Sequence, residues 1–173
     1  MDNTFHTISL QDLHRFFPKS SSDTLSGDFL IAEIRYDNIL DILEYPCRFE
    51  GYMAIFCLEG HLKAEINLKT YDINPDSVII NIPGNIARIY SLDNEQKDRL
   101  HFVMVAVSSD FLSSSRMDYV RMFNESISIL DNPCFEMTVE QRNIFFKYFE
   151  LVGALVTMDN PEIIQVLRSI VSS

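Results

Sequence analysis

The chain has 173 residues, 47% of them apolar, with 14 Lys and Arg against 25 Asp and Glu, a formal net charge of −11. That is one domain's worth of chain, able to bury roughly two-thirds of its unfolded surface, and the apolar content excludes a disordered polymer. The acidity excludes tight binding of a phosphate backbone by this chain itself, since that needs clustered Lys and Arg to displace counterions.

Cys47, Cys57 and Cys134 are an odd number and form no CxxC pair. The opening residues Met1-Asp2-Asn3-Thr4-Phe5-His6 offer neither the basic nor the apolar part of a secretory leader. No apolar run approaches the roughly 20 residues that span a bilayer. A cytoplasmic protein with free thiols and no membrane partner is expected.

In chain order, Ser9-Leu10-Gln11-Asp12-Leu13 opens a short helix with Ser9 as N-cap and Leu10, Leu13, Phe16 and Phe17 as its apolar side. Pro18 ends it, and 19–23 is a polar loop. Phe29 to Ile34 reads as a strand, and Asn38 to Tyr45 as either strand or helical turn. Phe49 to Leu58 is a strand apolar on both faces apart from Glu50, with Glu59-Gly60 turning the chain. The next strand alternates, Leu62, Ala64, Ile66 and Leu68 on one side and His61, Lys63, Glu65 and Asn67 on the other, as in an antiparallel sheet wet on one face.

Asn74-Pro75-Asp76-Ser77 and Pro83-Gly84-Asn85 are turns that frame a strand over Val78 to Ile82. Strands over Ile86 to Leu92 and Leu100 to Val107 follow, separated by a charged loop. Short strands at near-regular spacing argue for a sandwich or jelly-roll barrel. The period then changes. Ser109 to Arg121 reads as helix, and Thr138-Val139-Glu140-Gln141 matches a capping box.

Beyond that box, Ile144, Tyr148, Leu151, Leu155 and Met158 form one apolar stripe, and Phe145, Phe149, Val152 and Val156 a second beside it. Asp159-Asn160-Pro161-Glu162 is a turn into a last helix carrying Ile163, Ile164, Leu167, Ile170 and Val171. Two such helices joined by a tight turn should lie antiparallel. Their combined face is wider than one barrel wall requires. The surplus either covers the sheet or also meets a second subunit, with Phe145, Phe149, Val152, Val156 and Leu167 as candidate dimer contacts. The helical pattern is still running at Ser173, so a continuation of the chain is expected.

Catalytic motifs are missing. His6, His14, His61 and His101 are scattered without metalloprotease or zinc-finger spacing. There is no G-x-S-x-G elbow, phosphate loop or dinucleotide fingerprint.

The runs Tyr45-Pro46-Cys47-Arg48-Phe49-Glu50-Gly51-Tyr52, Leu58-Glu59-Gly60, Tyr71-Asp72-Ile73 and Asn81-Ile82-Pro83-Gly84 resemble the cupin-type sensor half of AraC/XylS-type transcription regulators. The helical segment from Thr138 to Ser173 is similar to the one that follows the barrel there. The resemblance implies a mainly β fold with α: an N-terminal helix and loop (1–28), a cupin-like jelly-roll barrel (29–108), and a helical dimerisation region (109–173) ending in an antiparallel hairpin. It further implies a small-molecule effector in the barrel, a homodimer, and DNA contact only through a C-terminal domain outside this sequence. No enzyme, metal or other cofactor is expected.

Metal-binding cupins carry His-x-His, then Glu, then Gly in a first motif, and a His shortly after Pro-x-Gly in a second. Anchored on Gly60, those positions fall near Cys47 and Phe49, on Met53, and near Ala87 or Arg88, which supply no three- or four-ligand cage.

A hollow barrel should have a mostly apolar lining with a few polar groups. By strand placement and chemistry the candidate ligand contacts are Arg48, Tyr52, Phe56, Arg88, Tyr90 and His101. Arg88 interrupts an otherwise apolar strand. It either binds a carboxylate, phosphate or sugar hydroxyl, or points to solvent and pairs with a nearby acid. The competing reading is a stand-alone metal-free cupin, either a binding scaffold or an epimerase- or isomerase-like enzyme with His101 and Tyr90 as acid and base.

Overall fold

The structure, a computed structural model, describes residues 5–17, 27–35, 43–92, 97–113 and 130–156, with isolated positions 128, 158, 162, 165 and 166. Its elements are β1 (His6–Ile8), α1 (Leu10–Phe16), β2 (Phe29–Arg35), β3 (Cys47–Phe49), β4 (Tyr52–Glu59), β5 (Leu62–Ile66) and β6 (Lys69–Ile73). They continue with β7 (Ser77–Asn81), β8 (Ile86–Leu92), a 3-10 turn at Lys97–Arg99, β9 (His101–Val107), α2 (Ser109–Ser113), β10 (Cys134–Glu136) and α3 (Val139–Val156).

The described residues form two five-stranded sheets, β1-β3-β8-β5-β6 and β10-β7-β4-β9-β2. Without the added edge strands β1 and β10, the order is β3-β8-β5-β6 against β7-β4-β9-β2. Counted from β2, the first strand lies beside the eighth, the second beside the seventh, and the third between the eighth and sixth. That is the strand order of an eight-stranded jelly roll, the architecture of cupins. All pairings are antiparallel except β1 with β3, which is parallel.

Local chemistry sets the corners. Ser9 caps α1 as expected: its Oγ accepts from the Asp12 N–H at 3.2 Å, and the Ser9 N–H donates to Asp12 Oδ2 at 2.9 Å. The Ser9 N–H, and next the Ser9 hydroxyl donating to Asp12 Oδ2 at 2.7 Å, hold the Asp12 carboxyl below its ordinary pKa. Gly51 separates β3 from β4, so the strand expected over Phe49 to Leu58 is two strands in different sheets. A Cβ on Gly51 would lie 2.5 Å from the Val107 carbonyl oxygen, so only glycine allows the crossing chain this close.

The alternation expected through Leu68 stops at Ile66. Asn67 and Leu68 take left-handed φ of 49° and 69° and form the hairpin tip, leaving Leu68 90% exposed. Asn67 pins that tip by donating through Nδ2 to Asn85 Oδ1 at 3.0 Å and accepting from the Ile86 N–H at 3.0 Å.

The core lies between the sheets and is closed at one side by α1, through Leu10, Leu13 and Phe17. A second cluster lies on the other face of the β7-β4-β9-β2 sheet, where Phe29, Ile31, Val107 and Phe111 pack with Val152 of α3. The Thr138 box forms: Thr138 N–H donates to Gln141 Oε1 at 2.9 Å and Gln141 N–H to Thr138 Oγ1 at 3.2 Å. Among the described residues there is one long helix and no helical hairpin, because the expected second arm, with Leu167, lies outside them. Of the helix expected over Ser109 to Arg121, α2 covers the first five residues and 114–121 lies outside the described residues. The stretch Asn38 to Tyr45 is described only from Leu43.

Candidate functional site

The sheets do not meet completely. Between them lies a cavity of about 140 Å³, partly open to solvent. From β4, Met53 and Ile55 face it, directly across from Asn81 and Ile79 of β7 and beside Ala106 and Met104 of β9. From the opposite sheet come Leu62, Ala64 and Ile66 of β5, with Ile89 and Ala87 of β8 paired to the last two. Leu13, Phe16 and Phe17 bring α1 and its C-cap to the wall.

Among the described lining residues, only Cys47, Asn81 and Arg88 carry polar side-chain groups. The Cys47 thiol donates to the Tyr45 carbonyl oxygen at 3.2 Å, and burial pushes its pKa up, so it is a neutral thiol and no nucleophile. Arg88 is paired: Nε and Nη2 donate to Glu65 Oε1 and Oε2 at 2.9 and 3.1 Å, across the β5–β8 register. Asn81, 9% exposed, donates through Nδ2 to the Gly51 carbonyl at 3.4 Å. Its Oδ1 accepts no hydrogen bond among the described residues.

Of the candidate ligand contacts whose side chains are described, Arg88 alone borders the cavity, and it does so with its guanidinium bound to Glu65. Arg48 is exposed on β3. Tyr52 packs against the cluster under α3, and the Phe56 ring stacks on Phe145 of that helix. His101 Nε2 lies 3.3 Å from Glu33 Oε2 and 3.4 Å from Arg35 Nη2, on the face away from its inward neighbours Phe102 and Met104. For Tyr90 only the backbone, in β8, is described. The physical reason is parity: β4 is apolar on both faces, so either face can be inner, and choosing Tyr52 and Phe56 selects the outer one. Asn81 was missed, although a lone amide ending the apolar run Val78-Ile79-Ile80 is a visible signal.

Three of the five candidate dimer contacts have described side chains. Phe145, Phe149 and Val152 cover the sheet, and the side chains of Val156 and Leu167 lie outside what is described. It is the other stripe that stays open, with Ile144, Tyr148 and Leu151 at 49%, 51% and 48% exposure.

The positions anchored on Gly60 do converge. Cys47, Phe49, Met53 and Ala87 all border the same cavity, and Cys47 pairs directly with Ala87. Their side chains are a thiol, a phenyl, a thioether and a methyl. That donor set does not fit a hard cation or zinc, and no group of three His, Cys, Asp or Glu converges among the described residues.

Fold and site together define a jelly-roll domain of the cupin kind with an apolar interior cavity and a covering helix. No protein-family profile and no curated protein matches the chain in sequence. Among solved structures, apo ToxT from Vibrio cholerae strain SCE256 is similar over 84% of this chain and 53% of its own, at 14% identity and a TM-score of 0.48. KdgF from Halomonas sp. is similar over 48% of this chain and 72% of its own, at 12% identity and a TM-score of 0.34. The Cnp3 cupin domain of Schizosaccharomyces pombe is similar over 48% of this chain and 58% of its own, at 17% identity and a TM-score of 0.34. With TM-scores below 0.5, these likenesses add nothing to what the strand order establishes. No described helix is long and apolar enough to cross a membrane.

Proposed function

We propose that this chain is the effector-sensing and dimerisation unit of an AraC-type transcription regulator. A small molecule occupies the cavity and controls a DNA-binding domain outside this sequence. The reading rests on one observation above all: the four positions of a metal cage are instead part of the apolar wall of an interior cavity. Such a site binds without metal chemistry. The enzyme reading loses support, since His101, its named acid or base, is engaged by Glu33 and Arg35 away from the cavity. Dimerisation is supported by the open stripe Ile144, Tyr148 and Leu151 on α3, an apolar strip of the kind that marks interaction sites.

Sedimentation of the chain at high micromolar concentration tests the dimer. A dimer that Ile144→Asp with Leu151→Asp converts to monomer supports it, and a monomeric wild-type chain removes it. Binding of the natural full-length protein to its own promoter, with and without a cavity ligand, tests the control of DNA binding. An affinity unchanged by any cavity ligand would remove the sensor role, because a ligand shifts an equilibrium only through differential affinity.

A further inference from the structure

Granting that sensor reading, we propose that the cavity is selective for a small uncharged molecule, mainly apolar and carrying one hydrogen-bond donor, of the kind represented by phenol, indole or a short-chain alcohol. Size comes first. At about 140 Å³ the space matches an apolar cavity that holds benzene, so the part of a ligand held inside it has about six to nine non-hydrogen atoms.

Charge is decided by the wall. Among the described residues no Asp, Glu, Lys or His borders the cavity, and the one guanidinium that does is held by both carboxylate oxygens of Glu65. An ionised carboxylate, phosphate or amine would therefore be buried without a partner, which proteins avoid at almost any cost. A sugar fails for the same reason several times over. Its hydroxyls would find one carboxamide and one thiol whose proton is already given to the Tyr45 carbonyl.

Polarity is decided by Asn81. The Gly51 carbonyl can only accept, so it fixes Nδ2 on its own side and leaves Oδ1 as the acceptor without a partner among the described residues. Asn81 is nine-tenths buried and borders the cavity. A ligand N–H or O–H completes it, which an all-carbon ligand cannot do.

The test uses the chain labelled with ¹³C-methyl methionine, because Met53 and Met104 both border the cavity. Phenol, benzene, hexanoate and methyl glucoside are titrated at pH 7, and the two methyl signals are assigned with Met53→Leu and Met104→Leu. Phenol is expected to shift both signals and to bind about threefold to tenfold more tightly than benzene, the worth of one neutral hydrogen bond. Hexanoate and methyl glucoside are expected to leave both signals in place. In Asn81→Leu the preference for phenol over benzene should vanish while benzene still binds.

Binding of hexanoate or methyl glucoside with the same shifts overturns the ligand class and leaves the sensor reading standing. A phenol preference that survives in Asn81→Leu overturns the donor requirement. Silence of both methyls to every probe overturns this proposal and leaves the sensor reading to the promoter-binding test.

Discussion

The rings of Phe56 and Phe145 stack with centroids 3.5 Å apart and an interplanar angle of 22°, joining the middle of β4 to the second turn of α3. This pair anchors the helix over the sheet. Phe145→Ala should cost about 2–3 kcal/mol, below the full core value because Phe145 is only half-buried. Urea unfolding of Phe56→Ala, Phe145→Ala and the double variant should leave a coupling of about 1 kcal/mol. Strictly additive variants would show that the stack holds nothing.

A second tie joins α3 to the turn before β7. Arg142 Nη1 donates to Asp76 Oδ1 and Oδ2 at 2.9 and 3.1 Å, with both side chains more than a third exposed. Solvent screening leaves that pair about 0.5 kcal/mol. The backbone matters more, since Asp76 has φ of 75°. Asp76→Ala should therefore destabilise by about 1 kcal/mol more than Asp76→Gly, which loses the same pair but fits the left-handed turn. Equal melting temperatures for the two would contradict this.

Filling the cavity should stabilise the chain. Ala64 is buried and borders the space, and Ala64→Val places two more carbons there. A gain of about 1 kcal/mol is expected from the volume removed. The same variant should bind benzene and phenol more weakly. Unchanged stability with unchanged binding would mean that the valine methyls point elsewhere.

Alkaline pH should act through Cys57, whose thiol is pushed from 9.0 up to about 12, chiefly by burial and next by the Asp76 charge. Below about pH 9 the thiol is neutral in both states and its contribution is constant. Between 9 and 12 the unfolded chain loses that proton while the folded chain keeps it, so stability falls as pH rises. Cys57→Ala should flatten that part of the decline relative to wild type, as read by denaturant midpoints at stepped pH. In the native protein at pH 8, Cys134, the least buried of the three, should react with a thiol reagent before Cys47 and Cys57.

Much of this fold was legible where one side of an element is wet. Lys63 and Glu65 against Leu62, Ala64 and Ile66 fix the inward face of β5 at once. The caps at Ser9 and Thr138 were legible because a side chain three residues on must return the bond. The break at Gly51 was hidden, since it depends on Val107, a residue 56 positions later. Short edge strands β1 and β10 were hidden for the same reason: three-residue segments acquire their conformation from the partners they pair with. The cavity residues suffered from β4, whose Tyr52-Met53-Ala54-Ile55-Phe56 run gives no sign of which parity faces in. The resemblance supplied what periodicity lacked, placing Cys47, Phe49, Met53 and Ala87 at one spot.

That same run gives β4 a double tenancy. Met53 and Ile55 belong to the cavity, while Tyr52 and Phe56 belong to the helix seat, so successive peptide units serve opposite clients. The distance from interior occupant to exterior helix is one backbone thickness. An occupant that shifts the Met53 backbone, and not merely its flexible side chain, carries the Tyr52 carbonyl with it, since the Tyr52 C=O and the Met53 N–H share a rigid peptide plane.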